Sequence, residues 1–276
     1  MTTAVRTLRD AVAAAASALD AAGCETPRLD AELLAAHALG VGRERVHLDA
    51  RAPLSADAGH RLDGLVARRA AREPVAYIVG RRAFRGIELA VDRRVLIPRP
   101  ETELLVEVAL ELPEGSWVHD AGTGSGAIAL AIAAERQDLR VTASDPSAEA
   151  LEVARSNAGR LGLEVDFYEA SGVPGQAAGA DLVVANLPYV TEGEWEGLAP
   201  EIREYEPREA LVSGPDGLDA IRSLAKRSSG EHRAARPTIA LEHAPHQAAA
   251  VRSLFADAVT RRDLAGRERV TVGRVA

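Results

Sequence analysis

A doubly wound α/β architecture on a mostly parallel sheet is what the sequence predicts for residues 100–276. Three observations predict it. Five short apolar runs recur after Gly115: Trp117 to Ala121, Arg140 to Ser144, Glu164 to Tyr168, Asp181 to Ala185 and Thr238 to Glu242. Segments of helical period follow them: Ser125 to Arg136, Ser147 to Leu161, Gly217 to Ser228 and Pro245 to Ala256. Such alternation is what parallel strands joined by crossover helices produce. Finally, a glycine-rich turn separates the first run from the first helix.

Upstream the pattern is purely helical. From Val5 to Ala22 the residues Val5, Leu8, Val12, Ala15, Ala16 and Leu19 keep a helical period, and Gly23 supplies a stop. A second helix runs from Pro27 to Leu39, with proline in its first turn and Gly40 after its end. A third, Ser55 to Ala71, places Leu62, Leu65 and Val66 on one face. Residues 1–73 therefore read as a small helical bundle; at roughly 70 residues it is too small to be secure alone.

Residues 74–99 read as a linker with a β-hairpin. Tyr77 to Gly80, Ala83-Phe84 and Ile87 to Val91 have the composition of short strands. Pro98 and Pro100 then hold the chain extended, and Glu101 and Glu103 suit the start of a helix spanning Thr102 to Leu112. At the far end, Val259 to Leu264 and Arg269 to Val275 read as two closing strands around a turn at Gly266.

The chain has 276 residues, 47% of them hydrophobic and only 3% aromatic, so Ala, Leu and Val must fill the core. A net charge of −8 argues against general affinity for nucleic-acid backbone. The stretch Arg61 to Arg99 is locally basic, which an arginine-favouring sequence with Lys226 as its single lysine explains as a solvated face. Cys24 stands alone, which leaves no intramolecular disulfide. Arg6, Arg9 and Asp10 interrupt any signal-like apolar run, and no stretch has the length of a membrane span; a cytoplasmic protein is expected.

Two motifs carry chemistry. Asp120-Ala121-Gly122-Thr123-Gly124-Ser125-Gly126 joins the first parallel strand to a helix, where glycines admit positive φ and let a ligand approach main-chain N–H groups. Loops of this kind serve both dinucleotides and S-adenosylmethionine. Asp120 favours the second, because a carboxylate before the loop suits an ammonium group and repels a pyrophosphate. Asp145, at the tip of the next strand, is placed to accept ribose hydroxyls.

The second motif, Asn186-Leu187-Pro188-Tyr189, follows the buried run ending at Ala185. A carboxamide oxygen beside a main-chain carbonyl can hold both N–H bonds of a planar nitrogen substrate, with Tyr189 over its flat face. That arrangement suits alkylation of an amide or exocyclic amine, whose delocalised lone pair must be aimed rather than deprotonated. A strand ended by a proline is the plainer reading of the same residues. Trp195 is read as part of a substrate lid over Thr191 to Tyr205, or as packing on the sheet edge. His119 is read as a hydrogen-bonded core residue, and Glu242, His243 and His246 as a strand end and helix start rather than a metal site.

Several longer segments resemble one family. These are Glu73 to Gly80, Leu96 to Glu103, Asp120 to Ala129, Tyr205 to Arg208 and Glu268 to Arg274. Together they are similar to the HemK/PrmC family of peptide chain release factor glutamine methyltransferases, over nearly the whole chain. The resemblance implies a class I S-adenosylmethionine-dependent methyltransferase domain, Rossmann-like with a seven-stranded sheet, behind an N-terminal bundle serving substrate recognition. It also implies methyl transfer to the glutamine of the Gly-Gly-Gln motif in class I release factors. Asn186, Leu187, Pro188 and Tyr189 would bind that glutamine. Asp120, Gly122, Thr123, Gly124, Ser125, Gly126, Asp145, Ser171, Gly172 and Asn186 would meet S-adenosylmethionine.

The sequence departs from the family at two places. Leu187 stands where the family has the first proline of Asn-Pro-Pro-Tyr, giving a form also seen in adenine-amine methyltransferases. Ser171 stands at about the position of a family aspartate for the adenine edge. A methyltransferase acting on an adenine amine in RNA or DNA, and a non-catalytic family member, are the alternatives these departures leave open. No membrane association and no stable nucleic-acid binding are expected.

Overall fold

The Thr7 hydroxyl accepts the Asp10 N–H while the Asp10 carboxylate accepts the Thr7 N–H, a reciprocal cap that starts the first helix, α1 (Leu8–Ala21). The computed structural model describes residues 6–228 and 237–275. After α1 come α2 (Pro27–Leu39), α3 (Arg43–Leu48), α4 (Ala56–Ala70) and α5 (Val75–Val79). Proline opens α2, Gly40 closes it at φ 68°, and the Ser55 hydroxyl caps α4 through the Ala58 N–H. Leu8, Val12, Leu19, Leu34 and Leu62 form the core of this first unit.

Residues 6–80 make that unit together with Ala199–Tyr205, a segment from far along the chain. Glu201 explains why the segment stays there. It receives both ends of the Arg72 guanidinium, at 2.8 and 2.6 Å, and Arg69 Nη1 at 2.9 Å. Arg69 also donates to the buried Asp30 carboxylate at 2.7 Å, and the Tyr205 hydroxyl donates to the Ala71 carbonyl at 2.7 Å.

The second unit holds Arg81–Leu198 and the described residues from Glu206 onward. Strands β1 (Arg81–Phe84) and β2 (Ile87–Ala90) pair as an antiparallel hairpin. A single 3₁₀ turn, Pro100–Thr102, leads into α6 (Glu103–Leu110). Then β3 (Trp117–Ala121), α7 (Ala127–Glu135), β4 (Arg140–Asp145), α8 (Ala148–Leu161), β5 (Asp166–Glu169) and β6 (Leu182–Ala185) follow. Short helices α9 (Glu192–Trp195) and α10 (Pro200–Tyr205, in the first unit) precede α11 (Asp219–Ser228). The chain closes with β7 (Thr238–Glu242), α12 (Ala248–Arg252), β8 (Val259–Arg262) and β9 (Glu268–Arg274).

Seven strands form one sheet in the order β5-β4-β3-β6-β7-β9-β8, with β9 antiparallel to both neighbours and the others parallel. Strand β6 is buried throughout, pairing Val184 with Asp120 and Ala185 with Leu241. The order reverses direction between β3 and β6. A crevice opens there at the carboxyl ends of the strands, and ligands of open α/β sheets bind at such a point.

Three expectations need correction. Tyr77–Gly80 is not extended: the Pro74 carbonyl accepts from the Tyr77 and Ile78 N–H groups, both at 3.0 Å, and winds α5 instead. Burial of Tyr77 and Ile78 in that turn outweighs their strand preference. Strand β5 starts at Asp166 rather than Glu164, and α12 covers only part of Pro245 to Ala256. Thr191 to Tyr205, read above as a lid or as packing on the sheet edge, holds α9 in the second unit and α10 in the first.

Candidate active site

Main-chain hydrogen bonds shape the turn after β3. Gly122 and Thr123 both donate their N–H to the Ser144 carbonyl, at 2.8 and 3.0 Å, and Gly124 donates to Asp145 Oδ2 at 2.9 Å. Gly126 lies at φ 84°, and a Cβ there would meet Leu130 Cδ1 at 2.8 Å; both conformation and room require glycine. Asp145 Oδ1 accepts the Ser147 N–H at 2.9 Å, and burial raises this carboxyl above its usual range.

Asp120 lies beneath the turn, fully buried. Its Oδ2 accepts the Thr123 hydroxyl at 2.6 Å and the Ala129 N–H at 3.2 Å, while Oδ1 has no partner among the described residues. Burial pushes this carboxyl up to about 7. An unsatisfied buried carboxylate oxygen is costly, and a cationic group or water nearby would relieve it.

The tip beyond β6 is held from several sides. Asn186 Nδ2 donates to Thr102 Oγ1 at 3.0 Å, and its carboxamide oxygen has no donor among the described residues. The Tyr189 hydroxyl donates to Glu242 Oε1 at 3.1 Å. Glu242 is buried, which pushes its carboxyl up, while the hydroxyls of Thr102 and Tyr189 pull it down. Burial beside Glu242 pushes the Tyr189 phenol far up, so it stays protonated. Gln247 donates to the Tyr189 carbonyl at 2.9 Å and to the Asp216 carbonyl at 3.1 Å. Buried Glu206 accepts the Ile97 N–H at 3.0 Å and pairs with the Arg99 guanidinium, fixing the approach to Thr102.

Comparison with known proteins identifies the family. A PrmC N-terminal domain matches residues 10–80, and a methyltransferase small domain matches residues 100–202. The release factor glutamine methyltransferase of Burkholderia pseudomallei is 45% identical over 268 residues, spanning 90% of this chain and 92% of the relative. Its namesake from Mycolicibacterium smegmatis is 42% identical over 286 residues, 98% of each chain. The chain belongs to the release factor glutamine methyltransferase family. A solved protein-(glutamine-N5) methyltransferase from Alicyclobacillus acidocaldarius is 30% identical over 64% of this chain and 92% of that one, with a TM-score of 0.38.

In this family member the turn and the tip face one cavity of about 280 Å³. Gly122, Thr123, Ser125, Asp145, Ser171 and Gly172 line it, as do Asn186, Leu187 and Pro188. Asp120, Gly124, Gly126 and Tyr189 are not among its lining residues: the first three support the turn, and the Tyr189 ring packs on the core beside Leu187. Leu187 fills the place next to the turn, where a Cβ on Gly122 would meet its Cδ2 at 3.0 Å.

The residues present fit S-adenosylmethionine. Asp145 and Ser171 offer polar groups for a nucleoside, Ile128, Ala127 and Pro146 offer apolar wall, and Asp120 Oδ1 is a carboxyl oxygen near the turn with no partner among the described residues. Ser171 can donate or accept one bond where a carboxylate would only accept. Sequence reasoning passed over four residues that organise the site: Thr102, Ser144, Glu206 and Gln247. Thr102 and Glu206 stand within segments that resemble the family, but no local spacing marks their partners.

Proposed function

We infer that this protein transfers a methyl group from S-adenosylmethionine to the side-chain amide nitrogen of the glutamine in the Gly-Gly-Gln motif of class I peptide chain release factors. The observation that carries the reading is the orientation of Asn186. One N–H of its NH2 goes to Thr102, and its oxygen, which has no donor among the described residues, is the acceptor left for a ligand. A glutamine side-chain amide offers two N–H donors, and two acceptors are what its alignment needs.

Residues Gly122 to Gly126, Asp145, Ser171 and Gly172 would hold S-adenosylmethionine, which supplies an electrophilic methyl group. Asn186 Oδ1 would accept one N–H of the glutamine amide, and the Leu187 carbonyl the other. Such positioning turns a weak, delocalised lone pair toward its target, and catalysis comes from orientation rather than from a base. The same two oxygens stabilise positive charge developing on the nitrogen, and the proton then leaves to water. Leu187 acts through its main chain here, so a leucine side chain is compatible with the role. The helical unit is proposed to recognise the release factor, and the net charge of −8 favours a protein over a polyanionic substrate.

The test is direct. The enzyme is incubated with S-adenosylmethionine and a release-factor peptide bearing Gly-Gly-Gln, beside the same peptide bearing Gly-Gly-Glu and an RNA control. A gain of one methyl on the glutamine peptide alone supports the reading. Transfer to RNA in place of peptide, or to neither, overturns it.

A further inference from the structure

We propose that Ser144, aligned by His119, is a positioning residue that ties together two loops of the cofactor cavity. The proposal rests on the reading of that cavity as the S-adenosylmethionine site. Ser144 is the penultimate residue of β4 and is fully enclosed. Its carbonyl accepts the N–H groups of Gly122 and Thr123, while its hydroxyl lies 2.6 Å from the Gly172 carbonyl oxygen. One residue thus holds the glycine turn through its main chain and the Ser171-Gly172 loop through its side chain. Gly122, Thr123, Ser171 and Gly172 all line the cavity.

The directions of the bonds around Ser144 follow from what each partner can do. A carbonyl only accepts, so the Ser144 proton goes to Gly172, and Ser144 Oγ must accept from His119 Nε2, 3.0 Å away. Nε2 therefore carries hydrogen. His119 is fully buried, where the neutral ring is the form that costs least. The neutral ring leaves Nδ1 bare, and it accepts the Thr142 hydroxyl at 2.9 Å. Thr142 can donate because Trp117 Nε1 donates to its oxygen at 2.9 Å; the competing acceptor, the Val118 carbonyl, is longer at 3.4 Å.

The result is a one-way chain of hydrogen bonds from Trp117 through Thr142, His119 and Ser144 to Gly172. Bonds in such a chain polarise one another, and each member fixes the rotor of the next. His119 has no contact with the cavity, yet it decides where the Ser144 hydroxyl points. Gly172 lies at φ 71°, and glycine is the residue freest to leave such a conformation, so the bond to its carbonyl also sets the direction of Ser171. A loop that presents serine to the nucleoside depends on this anchor for its position.

Calorimetry with S-adenosylhomocysteine tests the proposal. Ser144→Ala keeps the main-chain bonds to the glycine turn and releases Gly172. It is expected to weaken binding about five- to tenfold, the worth of one buried hydrogen bond, with the loss in turnover falling on the cofactor KM. Ser144→Thr keeps the hydroxyl and should restore most of the affinity. His119→Leu should weaken binding as well, and the double variant His119→Leu with Ser144→Ala should bind no worse than Ser144→Ala alone, since both cut one chain. Affinity of Ser144→Ala within twofold of the parent, or losses that multiply in the double variant, overturn the proposal. Nitrogen NMR of the parent protein is independent of how the variants fold: hydrogen on Nε2 with bare Nδ1 is expected, and the reverse tautomer overturns it. A parent protein that does not bind S-adenosylhomocysteine removes the cofactor reading and this inference with it.

Discussion

Asn186 Nδ2 lies 3.0 Å from Thr102 Oγ1, and this bond decides which end of the carboxamide meets the cavity. Thr102 is itself buried, and its hydroxyl oxygen accepts that bond at the end of the 3₁₀ turn before α6. A buried hydroxyl thereby orients the carboxamide. The amide could otherwise present its NH2 to the cavity and repel the donors of a substrate amide.

Thr102→Val follows from that relationship. Valine keeps the shape and removes the acceptor, so Asn186 loses its reason to turn the oxygen outward. Turnover is expected to fall about 10- to 100-fold, the usual effect of misaligning a reacting group. S-adenosylhomocysteine affinity should stay near that of the parent. Thr102→Ser should retain most activity. Steady-state kinetics with calorimetry checks this, and a fully active valine variant would separate Thr102 from the orientation of Asn186.

Asn186→Ala removes the acceptor itself. Methyl transfer should drop below detection, because neither Pro188 nor Leu187 carries a side chain that can replace the amide oxygen. The protein should still fold, since Asn186 is only partly buried at the end of β6. Measurable turnover at more than about a hundredth of the parent rate, short of the usual worth of positioning, would take Asn186 out of the reaction.

Strands β3 and β7 were legible in the sequence to the residue, because their apolar runs are bounded by glycine, proline or charge on both sides. The glycine turn and the Asn186 tip were legible for the same reason: each is a contiguous motif. Helix α5 was not, since Tyr77-Ile78-Val79 favours a strand locally and only tertiary burial makes it helical. The organisers of the site were hidden by distance along the chain. Thr102 meets Asn186 across 84 residues, Gln247 meets Tyr189 across 58, and Ile97 meets Glu206 across 109. A hydroxyl or amide whose partner is that remote leaves no periodic trace.

Gly217 lies at φ 73° against the Tyr189 carbonyl, and a Cβ there would overlap that oxygen and reach within 2.6 Å of Gln247 Nε2. Gly217→Ala therefore strains the backbone and displaces the bond that steadies the tip after Pro188. A loss of about 1–3 kcal/mol is expected from such a site, together with a larger fall in kcat than in cofactor affinity. Thermal unfolding and kinetics on one preparation measure both; an alanine variant as stable and active as the parent would show that the carbonyl moves freely.

In the helical unit, Arg69 and Asp30 are both buried and meet at 2.7 Å. Asp30→Ala leaves the guanidinium with Glu201 and the Glu73 carbonyl, at 3.4 Å, and a loss of about 3 kcal/mol in stability is expected. Pairing Asp30→Leu with Arg69→Met removes both charges and should recover most of that loss. Chemical unfolding of the three proteins decides it, and a double variant less stable than Asp30→Ala would assign the pair a net stabilising role.

Asp120 predicts how stability changes with pH. Its carboxyl is raised from 3.8 in an unfolded chain to about 7 in the folded protein, through burial that its bonds to Thr123 and Ala129 only partly offset. A group whose folded value is raised binds its proton more tightly when folded. Its contribution is therefore fully present below about pH 4, and it is lost as pH rises through about 7. Asp120→Asn cannot titrate, so the melting temperature of the parent minus that of the variant should fall between pH 5 and pH 8. Other groups with shifted values, Asp145 and Glu242 among them, largely cancel in the difference. S-adenosylmethionine should flatten the parent curve, since a cationic group near Oδ1 stabilises the ionised form. A pH-independent difference without ligand would mean that Asp120 stays ionised throughout, with water satisfying Oδ1.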